Sequence, residues 1–319
     1  MPITSESAVV ATDSNRGVVD VPTWVDRELY PFTPRSFASS AGTISYLDEG
    51  EGRPIVFVHG NPAWSFEWRG PVLALRNDFR CIAPDLLGFG LSDKPDGVAW
   101  SAELHATLVG QLLDHLDLRD VVIVVNDWGG PVGLSWALAN ADRVGAVVVS
   151  NTWLWSVRRD WYFQAFSKFM GGPIGARLIR RRNFFVNSVM VRAMGHAELL
   201  SQHAHDHYRN ALPTPGSRAA CAAFPKQIIG ASSWLEGLWG RRDVLAAKPM
   251  LLAWGMRDIA FRPRELRVWQ QAFPHAVTHE FAEAGHFVAE EDPDGFTSAL
   301  RTILAREGGR DASVSGRLS

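Results

Sequence analysis

Asn126-Asp127-Trp128-Gly129-Gly130 follows the apolar run Val121 to Val125, which puts an aspartate on a sharp turn between a buried strand and a helix. A nucleophile elbow shows its reactive side chain at such a turn, where small residues let the chain bend tightly. A serine there needs a base to take its proton. A carboxylate is already ionised at neutral pH and can attack a saturated carbon directly. The plainer reading of Asp127 is a helix cap, which loop aspartates often provide. Alone, the residue allows attack on an epoxide or on a carbon bearing another leaving group.

Two further groups stand where they can reach this turn. His286, in Glu283-Ala284-Gly285-His286-Phe287, follows the last expected strand, Ala276 to Ala282, and completes the order nucleophile, acid, histidine. The acid that orients it is expected to be Asp258, in Trp254-Gly255-Met256-Arg257-Asp258, although pairing with Arg257 would give that residue a structural role instead. The rival loop, Ser150-Asn151-Thr152-Trp153, offers no carboxylate before Asp160. His59-Gly60-Asn61-Pro62 ends another strand. Backbone N–H groups of Asn61 and Trp128 can form an oxyanion hole. The Trp128 indole and Asn61 amide add N–H donors, a small anion site beside the nucleophile. Core packing for Trp128 and a turn role for Asn61 compete with this, and His59 reads as structural.

The elements that must hold these groups are short apolar strands, Ile55 to Val58, Cys81 to Ala83, Val121 to Val125, Ala146 to Val149 and Met250 to Ala253, alternating with helical patterns. Strands apolar throughout indicate a mostly parallel sheet covered on both faces by helices, an α/β fold. From about Trp153 to Ala246 the rhythm breaks into helical composition rich in aromatics. That segment is expected to be a helical cap inserted at the carboxyl edge of the sheet, over the ligand site. The expected layout is a tail at 1–24, a main domain at 25–152 and 247–306, a cap at 153–246, and a second tail at 307–319.

Apolar residues make up 46% of the 319, the formal net charge is −2 and the pI is near 6.6, which gives no reason to expect nucleic acid or an anionic membrane as partner. Only Cys81 and Cys221 are present, so a disulfide framework is not expected and a reducing cytoplasm fits. Neither a signal peptide nor a membrane span is expected. In the cap, Trp153, Trp155, Trp161, Phe163 and Phe166 can line an apolar pocket or pack as core. His203, His205 and His207 read as a solvated helix rather than a metal site, and Arg180 to Arg182 as a solvated cap face or an oligomer contact.

As a set, HGNPAWSFEWR (59–69), APDLLGFGLSDKP (83–95), NDWGGPVGL (126–134), NTWLW (151–155), LPTPGSR (212–218), WGMRD and AGHF resemble the haloalkane dehalogenases of the α/β-hydrolase fold. The resemblance covers nearly all of the chain outside its ends. It implies Asp127 as nucleophile, His286 as base, Asp258 as acid, and Asn61 with Trp128 as the halide-binding pair. This combination is similar to the family's third subgroup, some members of which form large oligomers. Asn126 departs from the glutamine or histidine that relatives often carry before the nucleophile.

The implied reaction is hydrolysis of a haloalkane to a primary alcohol and halide through a covalent alkyl-aspartate ester, with no metal or organic cofactor. The partners would be a small halogenated hydrocarbon, water and halide, and a homo-oligomer is compatible. An epoxide hydrolase would need cap tyrosines to serve the alkoxide, and the cap holds only Tyr162 and Tyr208. Tyr208 lies in the His207-Tyr208…Leu212-Pro213 stretch that resembles dehalogenases. A luciferase-like oxygenase and a silent small-ligand binding protein are the other readings.

Overall fold

The computed structural model describes residues 17–315, with backbone alone for 306–315. Nine strands form one sheet: β1 (Gly17–Val18), β2 (Arg35–Ser39), β3 (Gly42–Glu49), β4 (Pro54–Val58), β5 (Arg80–Pro84), β6 (Val121–Asn126), β7 (Val144–Ser150), β8 (Met250–Gly255) and β9 (Val277–Phe281). Their order is β1-β2-β3-β5-β4-β6-β7-β8-β9. The pairs from β1 to β5 are antiparallel, and every pair from β5 onward to β9 is parallel. All six residues of β6 and of β8 are buried, as strands covered on both faces require.

Helices α1 (Arg69–Leu75), α2 (Ala102–His115) and α3 (Gly129–Ala139) connect the first parallel strands. Ser101 caps α2 by accepting from the Leu104 N–H, satisfying one of the donors a helix start leaves open. After β8 come α10 (Pro263–Ala272), then β9, α11 (Val288–Glu291) and α12 (Pro293–Ser315). The chain places β5 on one side of β4 and β6 on the other. The carboxyl ends of β4 and β6 therefore flank the crevice where the winding direction reverses, which is where open α/β sheets bind ligands.

Between β7 and β8 lie α4 (Trp161–Met170), α5 (Pro173–Arg182), α6 (Val191–Ala193), α7 (Gln202–Ala211), α8 (Ala219–Gly230) and α9 (Ser232–Gly240), with no strand among them. A buried polar contact ties this layer to the rest. The Tyr208 hydroxyl on α7 donates to Glu290 Oε2 at 2.6 Å, and Arg69 grips the same carboxylate with both terminal nitrogens at 2.5 and 2.6 Å.

Helix α7 is not the solvated helix that its histidines suggested. His207 is buried, with Nδ1 donating to the His203 carbonyl and Nε2 accepting from the Asp26 N–H at 2.9 Å. His205 is buried against the Val186 carbonyl, and His203 pairs with Asp26. No cluster among the described residues could hold a metal ion. The composition boundary at residue 24 falls inside ordered chain, since Gly17–Val18 pair with β2 and Trp24 packs edge-on to Trp64. Residues 1–16 lie outside the described residues. At the other end, the helical backbone of α12 runs on to Ser315, past the boundary at 307.

Candidate active site

Asp127 sits between the end of β6 and the start of α3 with φ of 49°, a left-handed conformation that L residues seldom adopt. Four contacts hold it there. Its N–H donates to the Asn151 carbonyl at 3.1 Å, and its carbonyl accepts from Gly130 N–H at 3.0 Å and Thr152 Oγ1 at 2.5 Å. Its Oδ1 accepts from the Asn61 N–H at 2.8 Å. The turn also needs backbones in near contact: a Cβ added at Gly129 would meet the Val58 carbonyl oxygen at 2.0 Å. The N-terminus of α3 behind the carboxylate favours its charge.

His286 lies on the loop after β9, anchored by its N–H to the Ala193 carbonyl at 2.8 Å and by its own carbonyl, which accepts from Asn126 Nδ2 at 3.0 Å. Asn126 therefore fixes the histidine loop, its amide also donating to the Ser150 carbonyl at 3.2 Å. Nδ1 of His286 meets Asp258 Oδ2 at 2.8 Å, and Nε2 faces Asp127 Oδ2 at 3.6 Å. Burial works against the imidazolium. The carboxylates of Asp258 and Asp127 outweigh it and hold the histidine well above its ordinary pKa.

The Asp258 carboxylate is wholly buried and fully engaged. Oδ2 also accepts from Asn151 Nδ2 at 2.9 Å, and Oδ1 from the Ala260 N–H at 2.6 Å. It does not pair with Arg257, which binds Glu283 at 2.5 Å. His59 is structural: Nδ1 donates to the Gly60 carbonyl, Nε2 accepts from Leu86 N–H, and burial lowers its pKa to about 4.

Sequence reasoning missed Asn151 and Thr152. In sequence the loop after β7 offers no carboxylate, and its NTWLW run enters only through the family resemblance. It instead braces both: Asn151 touches Asp127 through its carbonyl and Asp258 through its amide, and Thr152 supports the elbow. The signal was the NTW motif directly after an apolar strand. Glu67 was missed as well. It is 1% exposed and neither carboxylate oxygen has a partner among the described residues.

Asp127, His286, Asn61 and Trp128 all line one cavity, roofed by Phe163, Phe166 and Phe185. About 90 Å³ of it is open to the centre of a water-sized sphere. The Asn61 amide makes only a long 3.4 Å contact to the Cys221 carbonyl, so it keeps donor capacity toward the cavity. Trp128 packs edge-on to Trp153 with ring centroids 4.6 Å apart. Of the cap aromatics, Trp153, Phe163 and Phe166 line the cavity, Trp155 packs against Trp239 and Trp269, and Trp161 faces solvent. Tyr162 lines the cavity but donates its hydroxyl to the Ile259 carbonyl at 2.8 Å.

Residues 53–293 match the model of the alpha/beta hydrolase fold family. Haloalkane dehalogenase 2 of Mycobacterium bovis is 43% identical over 279 residues, covering 86% of this chain and 96% of that protein. The cis-3-alkyl-4-alkyloxetan-2-one decarboxylase of Shewanella oneidensis is 30% identical over 295 residues, covering 86% of this chain and 89% of its own length. Among solved structures, a haloalkane dehalogenase from Agrobacterium tumefaciens superposes with a TM-score of 0.75 at 28% identity, over 86% of this chain and 96% of the other. By fold and by relationship along most of its length, the chain belongs to the haloalkane dehalogenases of the alpha/beta hydrolase fold.

Proposed function

We propose that the protein hydrolyses haloalkanes to an alcohol and halide, with Asp127 as nucleophile, His286 as base, Asp258 as the acid that orients it, and Asn61 with Trp128 as the halide pair. One observation carries this reading. A carboxylate on a strained elbow, backed by a His–Asp pair, opens into an aromatic cavity that also presents N–H donors. Asp127 Oδ1 already holds the Asn61 N–H, so it is suited to remain as the ester carbonyl, leaving Oδ2 to attack.

The C–O bond forms as the carbon–halogen bond breaks, and the halide leaves toward Asn61 and Trp128 without needing a proton. Water then adds to the ester carbonyl carbon. His286 takes its proton, Asp258 stabilises the imidazolium, and the Asn61 N–H steadies the oxyanion. Collapse releases the alcohol and restores Asp127, and the proton passes to solvent. The residues present are sufficient for each step without a metal or organic cofactor.

The cavity's lining, mostly aromatic and aliphatic, favours an apolar substrate. Its walls offer few polar groups beyond Asp127, His286 and the Asn61 and Trp128 donors, which suits a haloalkane. An epoxide hydrolase is disfavoured because neither cap phenol is available: Tyr208 is committed to Glu290 and Tyr162 to the Ile259 carbonyl. A silent binding protein would have no use for the aligned triad.

Residues 153–246 are read as the cap, and 17–152 with 247–315 as the main domain. Two buried free thiols favour a cytoplasmic setting. No described helix is long and apolar enough to cross a membrane. Halide release from a panel of brominated and chlorinated alkanes, run beside an epoxide panel and an imidazopyrazinone emission assay, tests the function. Bromide release without diol or light is expected; diol formation without halide release would overturn it.

A further inference from the structure

Helix α4 has two apolar faces. One carries Phe163 and Phe166 into the cavity. The other carries Trp161, Ala165 and Phe169 outward at a spacing of four, a single stripe along the helix. Trp161 is 77% exposed, Phe169 57%, and Ile174, at the start of α5, 68%. Large apolar side chains rarely stand together in water without a reason.

The charge around this stripe has one sign. Residues 161–182 contain Lys168, Arg177, Arg180, Arg181 and Arg182 and no Asp or Glu. No carboxylate of the described residues forms an ion pair with any of the five. A groove beside the stripe, between α4 and α8, has the exposed Lys168 and Lys226 on its walls. The asymmetry extends to the whole cap: 153–246 holds 13 Lys and Arg against 5 Asp and Glu, a net of +8. With a chain total of −2, the remaining residues carry −10. The near-neutral whole therefore hides a strongly basic face, which the composition reading passed over.

We propose that the outer face of α4 and α5 docks onto an anionic lipid bilayer, with Trp161, Phe169 and Ile174 entering the interface and the five cations lying over the headgroups. Aromatic and aliphatic tips flanked by Lys and Arg, with no acid between them, are the pattern that binds such surfaces. A second copy on the same patch would set five cations against five across a two-fold axis. Docking also places the cavity one helix diameter, about 10 Å, from a phase in which apolar molecules concentrate. Delivery of substrate from lipid rests on the dehalogenase reading; the docking does not.

The test is flotation of the full chain with phosphatidylcholine vesicles containing or lacking phosphatidylglycerol, in low and high salt, without substrate. Cofloating with the anionic vesicles alone, reversed by salt, is expected. In W161S/F169S/I174S, and separately in R180E/R181E, the bound fraction should fall more than about ten-fold, since each lost or reversed contact with the surface weakens binding severalfold. These residues face solvent, so both variants should release halide from a water-soluble haloalkane at the wild-type rate in lipid-free buffer. Absence of flotation at low salt would overturn the proposal, as would binding that both variants leave intact. Lipid-free self-association in sedimentation, abolished by W161S/F169S/I174S, would assign the face to a second copy instead. Because flotation uses no substrate, a failure of the dehalogenase reading would leave its outcome untouched.

Discussion

Replacing Glu67 by glutamine should make the protein more stable, by an amount that grows with pH. Glu67 lies on the short helical turn Ser65–Trp68, buried beneath the site with both oxygens unpartnered among the described residues. Burial is the main cause that lifts its pKa from 4.5 to about 8; His286 opposes the rise, while Glu290 and Asp127 add to it. The unfolded chain releases this proton near 4.5 and the folded chain keeps it to about 8. Between those values the native state binds more protons, so stability falls as pH rises. At about 1.4 kcal/mol per pH unit the loss is about 3 kcal/mol by pH 7 and about 4 to 5 kcal/mol above pH 8. That is a large share of a typical folding free energy. E67Q has the same shape and no proton to lose, so it escapes this loss. Urea unfolding of both proteins at pH 5, 6, 7, 8 and 9, followed by circular dichroism, reads the difference directly. The stability gap should change by about 3 kcal/mol or more in favour of E67Q from pH 5 to pH 8. A gap constant across that range would refute the picture of an unpaired carboxyl, and would mean that the group keeps a partner that stabilises its charge.

Other expectations follow from the site and from the cap contact. In His286→Phe, alkylation should proceed and hydrolysis stop: one halide per chain, and a protein mass increased by the alkyl group in mass spectrometry. Sustained turnover by that variant would remove His286 from its role. Asp258→Asn takes away the charge that most favours the imidazolium, so steady-state kcat should drop by about 10²–10⁴. Stopped-flow should show the first halide burst less affected than turnover. Tyr208→Phe deletes a hydrogen bond to the buried Glu290 carboxylate and should cost about 1.5–3 kcal/mol in urea unfolding, with halide release largely kept. Gly129→Ala should express poorly or melt well below the wild type, because its Cβ meets the Val58 carbonyl at 2.0 Å with only backbone to move.

The strands that carry the site were legible because they are buried on both faces and hence apolar throughout, as in Val121–Asn126 and Met250–Gly255. The antiparallel pair β2 and β3 was not. Arg35–Ser39 reads RSFAS, with only Phe37 buried, flanked by polar residues and an exposed alanine, and its pairing with β3 is set by a short connection and not by composition. Ends were also hard to read: residues 17–24 follow a polar start and show no clear element of their own, but Gly17–Val18 gain hydrogen bonds from β2, a tertiary contact that composition does not encode. In the site, side chains with distinctive chemistry were easy to see, and amides were not. Asn151 matters through five contacts to partners more than a hundred residues away or on the neighbouring elbow, and its one local mark is the NTW motif after an apolar strand. Charge failed differently, since a sum of −2 over the chain cannot show that one layer is basic and the other acidic.

The geometry ties the two halves of the proposed reaction together through one carboxylate. While Asp127 is ionised, its Oδ2, 3.6 Å from His286 Nε2, helps Asp258 hold the imidazolium. A protonated histidine is useless as a base, yet in that state the enzyme needs none, because halide leaves unprotonated. Alkylation turns the Asp127 carboxylate into a neutral ester and removes one of the two charges that raise the histidine's pKa, while burial, which lowers it, remains. His286 thus becomes easier to deprotonate when there is an ester to hydrolyse. Asp258 is not consumed and keeps the ring oriented throughout. Hydrolysis then restores the Asp127 charge beside the newly formed imidazolium, which is stabilised at the moment it appears. Moving the nucleophile away from the histidine would separate these events, and this gives the strained elbow a second purpose: it fixes the distance over which substrate chemistry sets the protonation of the base.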